Sequence, residues 1–514
     1  MANRPVPLTA LILSVALTAL VVGSALILAL HADHFTLRPA EWSALRFTLL
    51  QAAISAVLST ALAIPVARAL ARRRFPGRST LLVLFGAPFL LPVVVAVIGI
   101  LSVYGRNGMA NQVLAALGLP PFPIFGLQGV VLAHVFFNLP LATRIILNGW
   151  LSIPSERFRL AKTLGLTPTA TFRHLELPML REVVPGAALL VFLFCLTSFV
   201  VALTLGGGPK ATTLELAIYQ ALRFDFDLGR AALLAAIQFA ICAIAVAAAA
   251  FTALPSSFGT GLDRVLDHAA QGVWRAGIDL AAIGLATVFL AAPMVSVALN
   301  GLPALLTLGP TVWLAALRSV LMALASSLLA TTAALALAQA VAAQSRGARL
   351  IETAAMLPMA ASSLVLGTGI FLAIRGIARP ESVALPVTIL VNAAMALPIL
   401  YRMILPEARA LHLGYNRLSA TMGLPFAVRL RRVTIPRLAR PLGLGAGIAA
   451  ALAMGDLGVI ALFAGDGNPT LPLLIQRLSG AYRMAEASAA SLVLVACSLT
   501  LFWVFDWGGR RAAP

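Results

Sequence analysis

About twelve apolar runs of roughly 20 residues recur along this chain, each long enough to cross the hydrocarbon core of a bilayer. They lie near Leu8–Leu30, Arg46–Leu70, Leu81–Val103, Leu127–Trp150, Pro185–Leu205 and Ala231–Phe251. The series resumes near Ala276–Leu299, Val312–Ala343, Ile351–Ile374, Ser382–Ile404, Leu442–Phe463 and Glu486–Phe505. A spanning segment must satisfy its backbone polar groups internally, so it is a helix or a strand of a closed barrel. The runs are continuous rather than alternating, which excludes the barrel pattern. The expected fold is an all-α polytopic membrane protein of about twelve transmembrane helices. The first run is too long for a signal-peptide core and lacks a small-residue cleavage site, so it is expected to be a retained span.

The 514 residues are 61% hydrophobic and 11% charged, against about a quarter charged in globular chains. The net charge of +19 raises nucleic acid as a partner, but its distribution excludes that. Arg72, Arg73, Arg74 and Arg78 crowd one short loop, and Arg402–Arg440 holds eight arginines against one acid, Glu407. Basic loops stay on the cytoplasmic side. With both termini cytoplasmic, and Arg510 and Arg511 agreeing, every strongly basic loop falls on one side. Cys195, Cys242 and Cys497 sit inside apolar runs without metal-like spacing and read as packing residues. No metal site is expected.

One short polar interruption occurs twice. Arg159-Leu160-Ala161-Lys162-Thr163-Leu164-Gly165 leads to Leu175-Glu176-Leu177-Pro178, and Arg417-Leu418-Ser419-Ala420-Thr421-Met422-Gly423 leads to Val433-Thr434-Ile435-Pro436. The offset is 258 (165 to 423, 178 to 436), and Leu139-Pro140 with Arg144 answers Leu397-Pro398 with Arg402 at the same offset. Leu91-Pro92 answers Leu357-Pro358 at 266. The chain therefore divides into two tandem halves of six spans, residues 1–262 and 263–514, in parallel topology. Locally, Gly165 suits the left-handed residue that ends a helix, and Thr167-Pro168 is an N-cap with a first-turn proline. Each copy, over about 152–182 and 405–440, is a helix–glycine–helix elbow on the cytoplasmic face, suited to packing in a partner's groove.

This motif resembles the cytoplasmic coupling loop of ABC-importer permeases: Glu-Ala-Ala, three residues, Gly, nine residues, Ile, one residue, Leu-Pro. The resemblance implies two type I permease halves, each docking one copy of an ATPase subunit through its loop. In the first copy the residues implied are Arg159, Ala161, Gly165, Leu175 and Pro178. In the second they are Arg417, Ser419, Gly423, Val433 and Pro436. Arg159-Leu160-Ala161 and Arg417-Leu418-Ser419 depart from Glu-Ala-Ala, so docking should rest on shape and on the two glycines rather than on a salt bridge. No G-x-x-x-x-G-K-[ST] loop occurs, so this chain binds no cofactor, is no enzyme, and leaves ATP-Mg to the partner ATPase. The family also implies a periplasmic solute-binding protein and a bacterial inner-membrane location. Leu196–Arg223 and Met454–Phe463 look most like the thiamine-transport branch, which implies thiamine or its phosphates as solute. A fused permease for iron(III) or another small solute is the alternative within the class. An ion-coupled secondary transporter is the alternative outside it, although such a carrier needs no matched elbows.

Asp456, an acid inside a span, is the expected pathway residue, and its repeat mate is Ser198. His134, Asn138 and Asn392 read first as helix-to-helix hydrogen bonders. Arg144 and Arg402 read as snorkelling side chains at span ends. The loops Gly206–Asp227, with a short helix near Leu214–Arg223, and Gly465–Arg483 should face the periplasm. Arg223, Asp225 and Asp227 are the expected contacts for the binding protein.

Overall fold

The computed structural model describes residues 7–513 apart from 33–35, 87–90, 251–272, 344–346, 424, 466 and 468. The boundary between the two halves at 262/263 lies outside these residues. The first half comprises α1 (Leu8–His31), α2 (Pro39–Arg72), α3 (Arg78–Leu84), α4 (Val93–Tyr104), α5 (Met109–Ala116) and α6 (Leu127–Ser152). It continues with α7 (Ser155–Thr163), α8 (Pro168–Thr171), α9 (Leu177–Leu196), α10 (Phe199–Leu205), α11 (Leu214–Arg223) and α12 (Leu228–Ala250). The second half holds α13 (Val273–Gly301), α14 (Pro310–Ala342), α15 (Ala348–Met356), α16 (Ser363–Ile374) and α17 (Pro380–Thr421). It ends with α18 (Phe426–Arg429), α19 (Ile435–Met454), α20 (Gly458–Phe463), α21 (Leu471–Gly480) and α22 (Met484–Ala512). Among the described residues there is no strand.

Among the described residues eleven helical segments are long and apolar enough to cross a membrane, and the bent pair Ala348–Ala360 with Ser363–Ile374, which turns by 96°, makes a twelfth when taken as one span. The spans expected at three, five, nine and eleven are each interrupted. The third is split between α3 and α4, where Pro92 holds an extended ψ of 132°. The ninth breaks after Pro358, and the fifth and eleventh break at Thr197-Ser198 and Gly455–Leu457.

The duplication is visible in the elements. Helices α9 and α19 both have 20 residues and start 258 apart (177 to 435). Helices α11 and α21 both have 10 and start 257 apart (214 to 471). Each begins with the same anchoring bond to the long helix of its own half. Leu214 N donates to Thr48 Oγ1 at 2.9 Å, and Leu471 N donates to Ser319 Oγ at 2.8 Å.

The first helix of each half packs on the other half. Helix α1 lies against α14, α15 and α16 as well as α12 of its own half, and α13 lies against α2 and α4 as well as α22 of its own half. The crossings are close enough to require glycine. A Cβ on Gly99 of α4 would lie 2.5 Å from Pro293 O, and one on Gly369 of α16 would lie 2.5 Å from Ser24 Cβ. Both glycines are the seventh residue of a 12-residue helix, so the two crossings are one contact made twice. The halves are interlocked, and between them, at the helix breaks, lies a cavity.

Candidate functional site: a central cavity and two elbows

Breaking a span exposes backbone groups that a continuous helix would pair. At the end of α9 these are met from neighbouring helices. Gln51 Nε2 donates to Cys195 O at 3.0 Å, and Gln238 Nε2 donates to Leu196 O at 2.8 Å. The break is thereby held open, and Ser198 is left to line the cavity. The matching break after α19 is held differently. The Asp456 carboxylate faces the backbone amides of Gly458, Val459 and Ile460 in the first turn of α20, with the Asn392 side chain beside it. A carboxylate is favoured at a helix N-terminus by those amides and by the helix dipole.

The cavity has a volume of about 400 Å³, within the range of small-molecule sites. Ser198 and Asp456 both line it, and so do His134, Asn138 and Asn392. His134 and Asn392 are themselves 258 apart (134 to 392), as are Phe137 and Met395 (137 to 395). The wall is therefore symmetric in position and asymmetric in chemistry. The helix-to-helix bonds expected of the polar residues exist as well. Asn138 Nδ2 contacts Cys195 Sγ of α9 at 3.4 Å and His134 Nδ1 pairs with Ser55 Oγ of α2 at 3.3 Å, while the bond from Asn138 Nδ2 to His134 O at 2.8 Å lies within α6. His134 Nε2 and Asp456 Oδ2 are buried without a protein partner. Among the lining residues Asp456 is the one carboxylate, and neither Lys nor Arg is present. A solute carrying a positive charge and hydrogen-bonding groups fits such a wall, because each unpaired buried polar atom costs about 1–3 kcal/mol until it is satisfied.

The elbows are built by local chemistry. Helix α7 closes with Leu166 N donating to Ala161 O at 2.9 Å around Gly165, whose φ is 65°. That left-handed turn is the usual glycine end of a helix. Thr167 Oγ1 then accepts from Ala170 N at 3.2 Å, Pro168 opens α8, and a π-helical turn, Phe172–Glu176, leads into α9. The second copy repeats the turn at Gly423, with φ 59°, and the π-helical turn at Leu430–Thr434. It lacks the break after α6, since Pro154 has no counterpart at His412 and α17 runs on unbroken to Thr421. On the first elbow Arg159 and Pro178 are exposed, Ala161 is buried and Leu175 is half-buried. On the second, Val433 and Pro436 are half-buried, and the side chains of Arg417 and Ser419 lie outside those described. Leu160, Leu164 and Met422 stand out as exposed apolar side chains, 59%, 66% and 64% accessible, which an elbow pattern alone does not reveal.

Beneath the first elbow Glu176 is fully buried and paired with Arg68 at 2.9 Å and with Arg72. Arg73 joins Asp279 of α13 at 2.8 Å. Thr434 occupies the position of Glu176 in the second half. On the face opposite the elbows, Arg223 Nη2 reaches Ala464 O at 3.4 Å and Asp227 Oδ1 accepts from Arg230 N at 3.1 Å. Both have structural bonds, whereas Asp225 is exposed.

Residues 59–271 match the family model of the binding-protein-dependent transport system inner membrane component. The chain is 39% identical over 473 residues to the thiamine transport system permease protein ThiP of Brucella abortus, covering 90% of this chain and 87% of that protein. It is 39% identical to the ThiP of Salmonella typhimurium (92% and 90% covered) and 38% identical to that of Escherichia coli K12 (90% and 88% covered).

Proposed function

The chain belongs to the binding-protein-dependent family of inner-membrane permeases, alongside the thiamine transport system permease proteins, and from that premise we propose that its central cavity carries thiamine. The observation that carries this reading is the cavity wall, with one carboxylate and no basic side chain. The thiazolium ring, common to thiamine and its phosphate esters, is a permanent cation. Asp456 faces that charge, and Ser198, His134 and Asn392 offer hydrogen bonds to the rest of the solute. A bare iron(III) ion is less well served, since among the described residues no group of three His, Cys, Asp or Glu could hold a metal.

In this reading the chain hydrolyses nothing. Two copies of an ATPase subunit grip the two elbows from the cytoplasm, at Gly165 and Gly423 and the apolar side chains beside them. A solute-binding protein delivers thiamine at the opposite face, and both termini are cytoplasmic. Alternating access follows as the ATPases close and the elbows move the spans that carry Ser198 and Asp456. ATP-Mg belongs to the partner. The test is uptake of radiolabelled thiamine by cells carrying Asp456→Asn, with membrane expression measured in parallel. Uptake at matched expression should fall at least tenfold, a loss of about 1.4 kcal/mol. Wild-type uptake kinetics in the variant would show that Asp456 does not face the solute.

A further inference from the structure

Two residues outside the cavity wall depart from ordinary backbone geometry in the same way. Phe226 has φ 54° and Tyr482 has φ 59°, and they are the positive-φ residues other than glycine among those described. A bulky L-residue is destabilised there by about 1–2 kcal/mol, whereas glycine occupies the region freely. The two stand within one residue of the same point of the repeat, three residues past α11 and two past α21. Each turn is closed by a backbone bond onto the end of its helix, six residues back from Asp227 N to Ala221 O at 2.9 Å and five back from Arg483 N to Leu478 O at 3.0 Å. Both aromatic rings project outward on the face opposite the elbows, 76% and 91% exposed.

The surroundings point to a protein partner. Phe226 is flanked by Asp225 and Asp227, and Tyr482 by the Arg483–Glu486 ion pair at 2.7 Å. An exposed aromatic ringed by charge is the composition of an interface anchor and its polar rim. Phe226 also borders a recess of about 320 Å³ whose wall continues into the second half at Arg375, Glu381 and Phe463, so a molecule seated there touches both halves. We propose that Phe226 and Tyr482 are paired anchors, one per half, on which the solute-binding protein docks. This rests on the permease assignment, which supplies the partner and the face on which it arrives.

Glycine substitution separates docking from folding, because glycine suits both turns better than the native residue. The complex with its ATPase subunit, in lipid nanodiscs, is titrated with thiamine-loaded binding protein while ATP hydrolysis is followed. Phe226→Gly and Tyr482→Gly should each raise the half-stimulating concentration about tenfold, and the double variant further, with unfolding temperatures unchanged or higher. Phe226→Tyr and Tyr482→Phe should restore the wild-type value. Equal half-stimulating concentrations in wild type and glycine variants would overturn the proposal. So would variants whose only defect is a changed dependence on lipid headgroups, which would mark the rings as bilayer anchors. A wild-type complex that ignores the binding protein altogether would overturn the permease assignment, and the docking proposal with it.

Discussion

Glu215 is a buried acid that no motif singles out. It sits on α11, outside the spanning helices, 1% exposed. Its Oε1 accepts from Gln238 Nε2 at 3.2 Å, and the Ser362 side chain at the start of α16 also bonds it. Through Gln238 it is tied to the break in span five, and through Ser362 to the break in span nine. Burial pushes its carboxyl from the ordinary 4.5 up to about 7. Between those values the folded chain holds a proton that the unfolded chain releases, so this residue's contribution to stability falls as pH rises through the window. The loss reaches at most about 3 kcal/mol. Glu215→Gln keeps an acceptor and removes the titration. The drop in unfolding temperature between pH 5 and pH 8, measured in detergent, should be smaller in the variant than in the wild type. Equal drops would show that Glu215 does not titrate there. Ser198 and Asp456 were legible in the sequence because the 258 offset is constant from the elbow into the following span. Glu215 was not, because its importance comes from helices that reach it only in the folded chain. Gln51 and Gln238 did carry a signal, since a lone amide in an apolar run needs a partner, and a broken helix end offers one.

Elements that depend on local geometry were read more fully than those that depend on packing. The elbow is prescribed by Gly165, Thr167 and Pro168, whose backbone preferences act within a few residues, so its shape follows from the chain alone. The breaks in spans five and eleven do not, because hydropathy averaged over a span is little changed by two polar residues. Pro92 and Pro358 were visible markers of the other two breaks, whereas Thr197-Ser198 contains neither Pro nor Gly. The asymmetry beneath the elbows is likewise a packing fact. Removing the carboxylate of a buried ion pair strands its partners, at a cost of about 3–5 kcal/mol. Glu176 leaves Arg72 with a side chain only 10% exposed, although Arg68, at 32%, is partly relieved by solvent. Glu176→Ala should therefore destabilise the chain by about 3 kcal/mol, and Thr434→Ala by about 1 kcal/mol or less. Thermal unfolding of both purified variants decides the matter. Similar losses in the two would mean that the acid and its arginines do not brace the first elbow.

At the scale of the whole molecule, the repeat in the sequence and the packing in space divide the chain differently. Duplication pairs α1 with α13 as first helices, yet each packs extensively against the half it does not belong to, beside its contact with α12 or α22 of its own. Sequence periodicity reports which segments correspond, and it carries no record of which correspondents touch. The contact that makes the exchange possible is nevertheless small and local, Gly99 against Pro293 and Gly369 against Ser24. Gly→Ala inside a helix ordinarily stabilises by about 0.5–1 kcal/mol. Gly284, in the middle of α13, has no atom within 4 Å of its Cβ position, so Gly284→Ala should show that gain. Gly99→Ala and Gly369→Ala should show the reverse, a loss of about 1–3 kcal/mol, because the added methyl meets backbone or a Cβ that cannot step aside. The unfolding temperatures of the three variants should thus fall on both sides of the wild type. A stabilised Gly99→Ala would mean that α13 can withdraw from α4 at little cost, and that the two halves are held together elsewhere.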